Sequence, residues 1–458
     1  MKKMAYLYKL GVVCLIITLG LSLAGLECPP GGGGTSEEEI VLEWWRVNYD
    51  NSKDLNDMTG EFSELYPNTQ VKIRTFTLAE YEEEVVNAIS ASTAAENKGP
   101  DILSIHNDWL PRWQDRLLSI PESRDGSSGG GCSADETEIE HMTFREFENV
   151  FVETVVDEMS ADNEIYGMPL YVDTLALFYN KDLLDSAGIP KPPADWEEFS
   201  EDVITLTTLE EGDIVQSGAA IGTSTNINRS TDILELQMLQ NGTQMINDEH
   251  TKIMFNTPEI NAEGEQFYPG LIATTFYTDF ANAQKDVYTW NLNQDYSIDA
   301  FVASKTAMMF NYSFRTETLK TKSANLNYGV APMPQIGSNP KVNYPNYWAE
   351  AVSNKTKYPN AAWDFVEYIT DYDRSKQYLE LTGRPPARRD LIAEVKDDPV
   401  LGIFAEQALS ARSWWKPDNG QIEVIFARMI ESINTGQSTV EDALGVAQQE
   451  AQQLIKSE

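Results

Sequence analysis

An α/β fold, a mostly parallel sheet covered by helices, is what the folded part of this sequence predicts. Three observations lead there. Strand and helix patterns alternate from Ile40 onward, a Gly-Pro turn opens the third strand pattern, and 458 residues exceed the ~100–200 of one typical domain. Two lobes or domains are therefore expected.

"IVLEWWRV", starting at Ile40, is a strand by its β-branched and aromatic content, and "DLNDMTGEFSELYPN" is an amphipathic helix ended by Pro67. "VKIRTFT" supplies a second strand, "LAEYEEEVVNAISAST" a second helix and "GPDILSI" a third strand. Ligands of such sheets sit beyond the carboxyl ends of the strands, which places His106, Asp108 and Trp109 at a candidate cleft. Residues 123–138, rich in Gly, Ser and acids, read as an exposed insertion. "MTFREFENVFVETVVDEM" is helical, "EIYGMPLYVDTLALFYNKDLL" is a turn followed by a buried strand pair, and Thr306–Phe310 is a further strand. Asn241-Gly242 marks a tight turn. Residues 361–458 are largely helical, interrupted at Gly383-Arg384-Pro385-Pro386 and at "WWKPDNG"; within them "WDFVEYI" has its large apolar residues at helical spacing and predicts core.

The N-terminus carries the parts of an export signal. Lys2, Lys3 and Lys9 precede an apolar run from Leu10 to Leu23, which is shorter than the ~20 residues of a membrane span. Residues 1–27 form this targeting segment, and residues 28–39, with Cys28, two prolines and four glycines, form a flexible tether. Cys28 is the candidate for lipid attachment; cleavage after Ala24 and an uncleaved anchor are the alternatives. All three place the protein outside the cytoplasm, at the cell surface or the periplasmic side of the cytoplasmic membrane. Cys132 is a lone thiol if Cys28 bears lipid, and its candidate disulfide partner if not.

Composition narrows the function. Lys and Arg total 34 against 72 Asp and Glu, a net charge of −38 that repels nucleic-acid phosphates and anionic lipid heads. No phosphate loop, dinucleotide fingerprint, HExxH or GxSxG is present, and three histidines leave few general bases. No spacing of Cys, His or acids matches a metal site. Neither a metal, a cofactor nor an enzyme activity is expected. Aromatic residues are abundant: 10 Trp, 20 Tyr and 17 Phe. Trp45, Trp109, Tyr171, Tyr312, Phe314, Trp348, Trp414 and Trp415 stand at strand ends or in irregular segments. A ring covers the C–H face of a sugar while neighbouring acids and amides accept its hydroxyl hydrogens, so the pattern points to a neutral, polyhydroxylated ligand.

"GPDILSIHNDWLPRWQDRLLSI", "IYGMPLYVDTLALFYNKDLLDSAGIPKPPADWEEF", "DYSIDAFVASKTAMMFNYSF", "NYGVAPMP", "AVSNKTKYPNAAWDFVEYIT", "LTGRPPARRDL" and "NTGQSTVEDALGVAQQEAQQL", in this order from about Ile40 to the C-terminus, resemble segments of the family 1 extracellular solute-binding proteins. These are sugar-binding subunits of ABC importers. The resemblance implies a two-lobe, type II periplasmic-binding-protein-like fold with hinge crossings and an interlobe cleft. It implies an N-terminal lobe of residues 40–160 and 295–345, and a C-terminal lobe of 161–294 and 346–458.

Site positions carry over in the same way. Asp108 falls where the maltose binders of the family have a hydroxyl-binding Asp, Asp173 where they have a Glu in a similar role, and Phe314 where a Trp stacks on sugar. Two positions depart from the maltodextrin pattern: Ile105 replaces a Trp and Trp109 an Arg. The alternative for Asp108 is a turn cap, and for Asp173 a buried hinge hydrogen bond. Arg384 either reaches the cleft or pairs with an acid. Trp348 follows the expected hinge crossing near 341–350, and of the adjacent Trp414 and Trp415 the second is the one expected to face inward. The implied function is capture of a carbohydrate or polyol-like solute by lobe closure and delivery to the permease subunits of an ABC transporter, with the membrane reached through the N-terminal anchor. A secreted carbohydrate-active enzyme and a non-transport surface lipoprotein are the alternatives.

Overall fold

A computed structural model describes residues 39–47, 52–90, 99–121, 141–260, 264–337 and 339–456. The targeting segment, Cys28, Cys132 and the 123–138 insertion lie outside the described residues.

The alternating patterns fold as expected into the first sheet. Ile40–Val47 pairs in parallel with Thr69–Phe76, from Ile40↔Thr69 to Val47↔Phe76, and with Ile102–His106 on its other edge. The crossover helices Ser52–Leu65 and Leu78–Ser90 close these units. The first buries Leu55, Met58 and Phe62, and the second Tyr81, Val85 and Ile89, each at three- or four-residue spacing on one stripe. Thr77 and Glu80 cap the second helix, with the Thr77 amide donating to Glu80 Oε2 at 3.0 Å.

The parallel order then stops. Trp348–Ser353, to which sequence patterning assigned no strand, inserts antiparallel beside Ile102–His106, with Trp348 opposite His106. It carries Glu350 into the sheet interior, 1% exposed, where Arg46 Nε (3.2 Å), Trp44 Nε1 (2.7 Å) and Ser104 Oγ (2.8 Å) surround its carboxylate. A charge in the middle of a core strand hides the strand from any hydrophobic pattern. It is tolerated because donors meet it on every side. Leu117–Leu118 and Gly167–Pro169 complete this six-stranded sheet along the other edge of Trp348–Ser353.

A second sheet runs Thr208–Glu210, Asp213–Ala219, Thr306–Asn311, Ala176–Asn180, Tyr328–Ala331. Only the Asp213–Ala219 and Thr306–Asn311 pair is parallel. Each sheet has its own hydrophobic core: Trp44, Phe62, Tyr81, Trp363 and Phe365 in the first, Phe178, Phe199, Tyr277, Trp290 and Phe310 in the second. The expected core residues of "WDFVEYI" are buried.

Among the described residues the chain passes between the lobes three times. Asp173–Thr174 and Pro345–Asn346 pair antiparallel as one two-stranded crossing. The third pass, 411–416, runs beside Asn343, which accepts from the Arg412 amide at 2.8 Å. These passes correct the expected lobe boundaries. Residues 161–172 and 346–408 belong mainly with the first lobe, and 295–345 with the second, the reverse of the sequence-based division. Local patterns identify elements; which sheet an element joins is decided by long-range pairing such as Met308↔Tyr179.

Candidate functional site

Between the lobes lies a cleft of about 1130 Å³. The first lobe supplies Trp109, Trp348 and Arg384 to its walls, the second supplies Arg229, Phe314 and Glu423, and Tyr171 stands at the base beside the first crossing.

Each side chain is placed by a local device. Trp109 starts the short turn after the Ile102–His106 strand, and Trp348 opens the neighbouring strand, so their rings meet edge to face at 5.1 Å; His106 lies 5.2 Å from Trp348. Arg384 follows Gly383, whose left-handed φ of 65° ends helix Tyr372–Thr382 and turns the chain sharply. Pro385 and Pro386 then stiffen the loop, and a bridge between Tyr171 and Pro386 pins it. The guanidinium consequently lies over Tyr171 at 4.9 Å and over Phe314, across the cleft, at 5.3 Å.

Phe314 is held from below. Asp173 on the first crossing accepts from the Ser313 amide at 2.9 Å and from Ser313 Oγ at 2.7 Å, and Arg384 approaches it to 3.6 Å. Burial pushes the Asp173 carboxyl up against the pull of Arg384 and these donors. Asp173 is 1% exposed and does not line the cleft. The hydroxyl-binding role carried over by resemblance is thus corrected: its oxygens are already used, and it acts as the buried hinge bond that was the alternative. Tyr312 likewise lies under Phe314, 6.1 Å between rings, with its hydroxyl donating to Asp232 at 2.6 Å; it supports the wall and does not form it.

Asp108 sits beside the main cleft, on the walls of two flanking cavities of about 570 and 680 Å³. His106 Nδ1 meets its Oδ1 at 2.6 Å and Lys416 Nζ its Oδ2 at 3.5 Å. Burial opposes ionisation, but the His106 and Lys416 charges and hydrogen bonds outweigh it and hold the carboxyl down to about 2. Lys416, on the third crossing, also reaches Glu235 of the second lobe at 3.0 Å and the Tyr344 hydroxyl at 2.7 Å. Its ammonium therefore ties both lobes together beside the cleft.

Two expected residues lie elsewhere. Trp45 is 4% exposed and packs in the first core against Phe76 (5.2 Å) with Arg74 over its ring. On a strand buried on both faces, neither of two adjacent tryptophans needs to reach solvent. Trp415 stacks on His250 at 4.9 Å in the larger flanking cavity, while Trp414 turns into the second core and donates to Glu235 at 2.8 Å. The inward member of the pair is Trp414, because Glu235 offers its indole a buried acceptor.

Sequence reasoning missed Arg229, Glu423 and Lys416. Arg229 has a left-handed φ of 64° and salt-bridges Asp232 at 2.8 Å, a backbone state no residue pattern announces for Arg. The "KPDNG" break was a usable signal: Asp418 caps helix Asn419–Asn434 and brings Asn419, Gly420 and Glu423 to the cleft. Chemically, the walls combine flat apolar rings, mixed charges and amide groups, which suits gripping a polar guest.

The family model described as bacterial extracellular solute-binding protein matches residues 59–402. A putative binding protein of Brucella abortus is 25% identical over 248 residues, 54% of this chain and 56% of that one, so the chain spans little more than half the length of that relative. A protein of Streptococcus pneumoniae described as a maltooligosaccharide ABC transporter solute-binding lipoprotein is 23% identical over 334 residues, 71% of this chain and 72% of the other. Among solved structures, a cyclic α-maltosyl-1,6-maltose binding protein from Arthrobacter globiformis superposes with a TM-score of 0.71 at 16% identity, covering 92% of this chain and 100% of its own, and thus shares the fold.

Proposed function

The chain belongs to the bacterial extracellular solute-binding proteins, and from that premise we propose that it captures a neutral, hydroxyl-rich carbohydrate between its lobes and hands it to the membrane permease of an ABC importer. One observation carries the reading. Aromatic faces from both lobes, Trp109 and Trp348 on one side and Phe314 on the other, converge on a single cleft with Arg384 laid across it. Rings supply apolar faces for sugar C–H groups, and Arg384, Asn346 and Glu423 supply hydrogen-bonding groups at the same cleft. Relatives described as binding oligosaccharides support the class of ligand.

The mechanism is differential binding without chemistry. Neither wall encloses a guest alone, so a ligand touching both favours the closed arrangement by its extra contacts there. The three crossings are the segments that flex. In the same reading Cys28 carries the lipid that keeps the protein at the membrane, as the description of the pneumococcal relative suggests. A calorimetric screen of neutral oligosaccharides, with chromatography of the recovered sugar, tests the proposal. Saturable one-to-one binding with the sugar unchanged is expected. Binding by none of them, or recovery of shortened products, would overturn it.

A further inference from the structure

His141, Asp364 and Glu367 converge on the first lobe, away from the cleft lining. His141 lies two residues before Thr143, the N-cap of helix Phe144–Val150, and the two acids sit one turn apart on helix Pro359–Thr370. His141 Nδ1 is 2.6 Å from Glu367 Oε2 and 3.9 Å from Asp364 Oδ1, and one ligand atom from each residue lies within 4.8 Å of the others. Glu367 Oε1 is fixed by the Met142 amide at 2.6 Å. The side chains are 7, 11 and 18% exposed, and Asp364 Oδ1, shut off from solvent, has no hydrogen-bond donor among the described residues. A buried carboxylate oxygen without a donor is costly to leave so, and here it is aimed at an imidazole nitrogen and a second carboxylate.

We propose that these three residues form a structural site for a divalent cation of the zinc class, unconnected with solute capture. One imidazole nitrogen and two carboxylate oxygens are a donor set that zinc accepts at ~2.0–2.2 Å, with water in the fourth position; magnesium and calcium favour all-oxygen shells. Charge balance agrees, since a +2 ion meets two carboxylates and a neutral imidazole. The short contact between Nδ1 and Oε2 holds a proton where the ion would sit. Binding breaks that hydrogen bond, the Nδ1 proton moves to Nε2 of a neutral ring or passes to buffer from an imidazolium, and the nitrogen lone pair and the Glu367 and Asp364 oxygens turn to the metal. The ion would pin residues 141–142 to the helix. The sequence hid the cluster because His141 and Glu367 are 226 positions apart.

The full chain, stripped with EDTA and exchanged into chelator-free buffer, tests this by thermal shift and calorimetry with Zn²⁺ and Mg²⁺. Expected are one saturable zinc site, a raised melting temperature and no response to Mg²⁺. Asp364→Asn keeps the His141–Glu367 hydrogen bond and so folds, yet weakens zinc by ~10-fold or more, and His141→Ala does the same. No saturable zinc response in the parent chain, or a response undiminished in both variants, would overturn the proposal.

Discussion

Replacing Glu158 with glutamine should make the protein more stable at pH 8 and leave it unchanged near pH 4.5. Glu158, on helix Glu153–Met159, lines the larger flanking cavity. Burial pushes its carboxyl from the ordinary 4.5 up to about 7; donors from Ser413, Tyr347 and Asn107 pull against this, and the Asp108 charge adds to it. A folded-state value above the unfolded one means that the folded chain holds a proton the unfolded chain gives up. That contribution to stability is complete below pH 4.5 and is lost as pH rises to 7, beyond which a carboxylate stays buried. At about 1.4 kcal/mol per pH unit, the interval from 4.5 to about 7 amounts to about 3 kcal/mol. The side chain keeps some contact with solvent, which lowers the expected gain to about 1–3 kcal/mol. Glutamine is neutral throughout, and its amide accepts from Asn107 Nδ2, now 3.2 Å from the carboxylate, while offering its nitrogen to the Ser413 hydroxyl. Urea unfolding of parent and variant at pH 5 and pH 8, followed by tryptophan fluorescence, measures the difference. A variant less stable than the parent at pH 8, or a difference that does not change with pH, would refute the reasoning.

Other substitutions test the cleft and its supports. Lys416→Met takes away the ammonium between Asp108 and Glu235, leaving Asp108 with His106 and Glu235 with the Trp414 indole as a buried carboxylate without a cation, and should cost about 3–5 kcal/mol by urea denaturation at pH 7, whereas a change under about 1 kcal/mol would contradict the two-lobe tie. Phe314→Ala should weaken sugar binding by about 1 kcal/mol or more in calorimetry, with the circular dichroism spectrum retained; unchanged affinity removes the ring from the site. Gly270→Ala would place a Cβ 1.9 Å from the Phe255 carbonyl oxygen at the start of helix Pro269–Asp279, and a loss of about 1–3 kcal/mol is expected from the backbone shift this forces. Full stability in that variant would show that the helix start moves freely.

Local pattern carried the sequence a long way. The three parallel strands and two helices from Ile40 to His106 were legible because each buries one stripe or one continuous apolar run. The cleft aromatics Trp109, Tyr171, Phe314 and Trp348, and Arg384, were legible because strand-end and Gly-Pro contexts place side chains at the sheet's carboxyl edge or on a stiff loop. What escaped depends on partners far away in sequence. Trp348–Ser353 reads poorly as a strand because Glu350 sets a charge in its middle, and the Arg46 that neutralises it is about 300 residues away in sequence. The lobes were interchanged between residues 295 and 408 because the chain crosses back and forth between them. Asp173 looks like a ligand acceptor until Ser313, 140 residues on, takes up its oxygens, and Lys416 looks like a surface lysine until Asp108 and Glu235 enclose it.

Small-angle scattering with and without a saturating oligosaccharide measures the central claim most directly, since that claim is a guest shared by two lobes that shut on it. A smaller radius of gyration in the bound protein, abolished together with binding when Phe314 and Trp348 are both replaced by alanine, is the predicted result. Saturable binding with unchanged scattering, or binding that survives the double replacement, would contradict it.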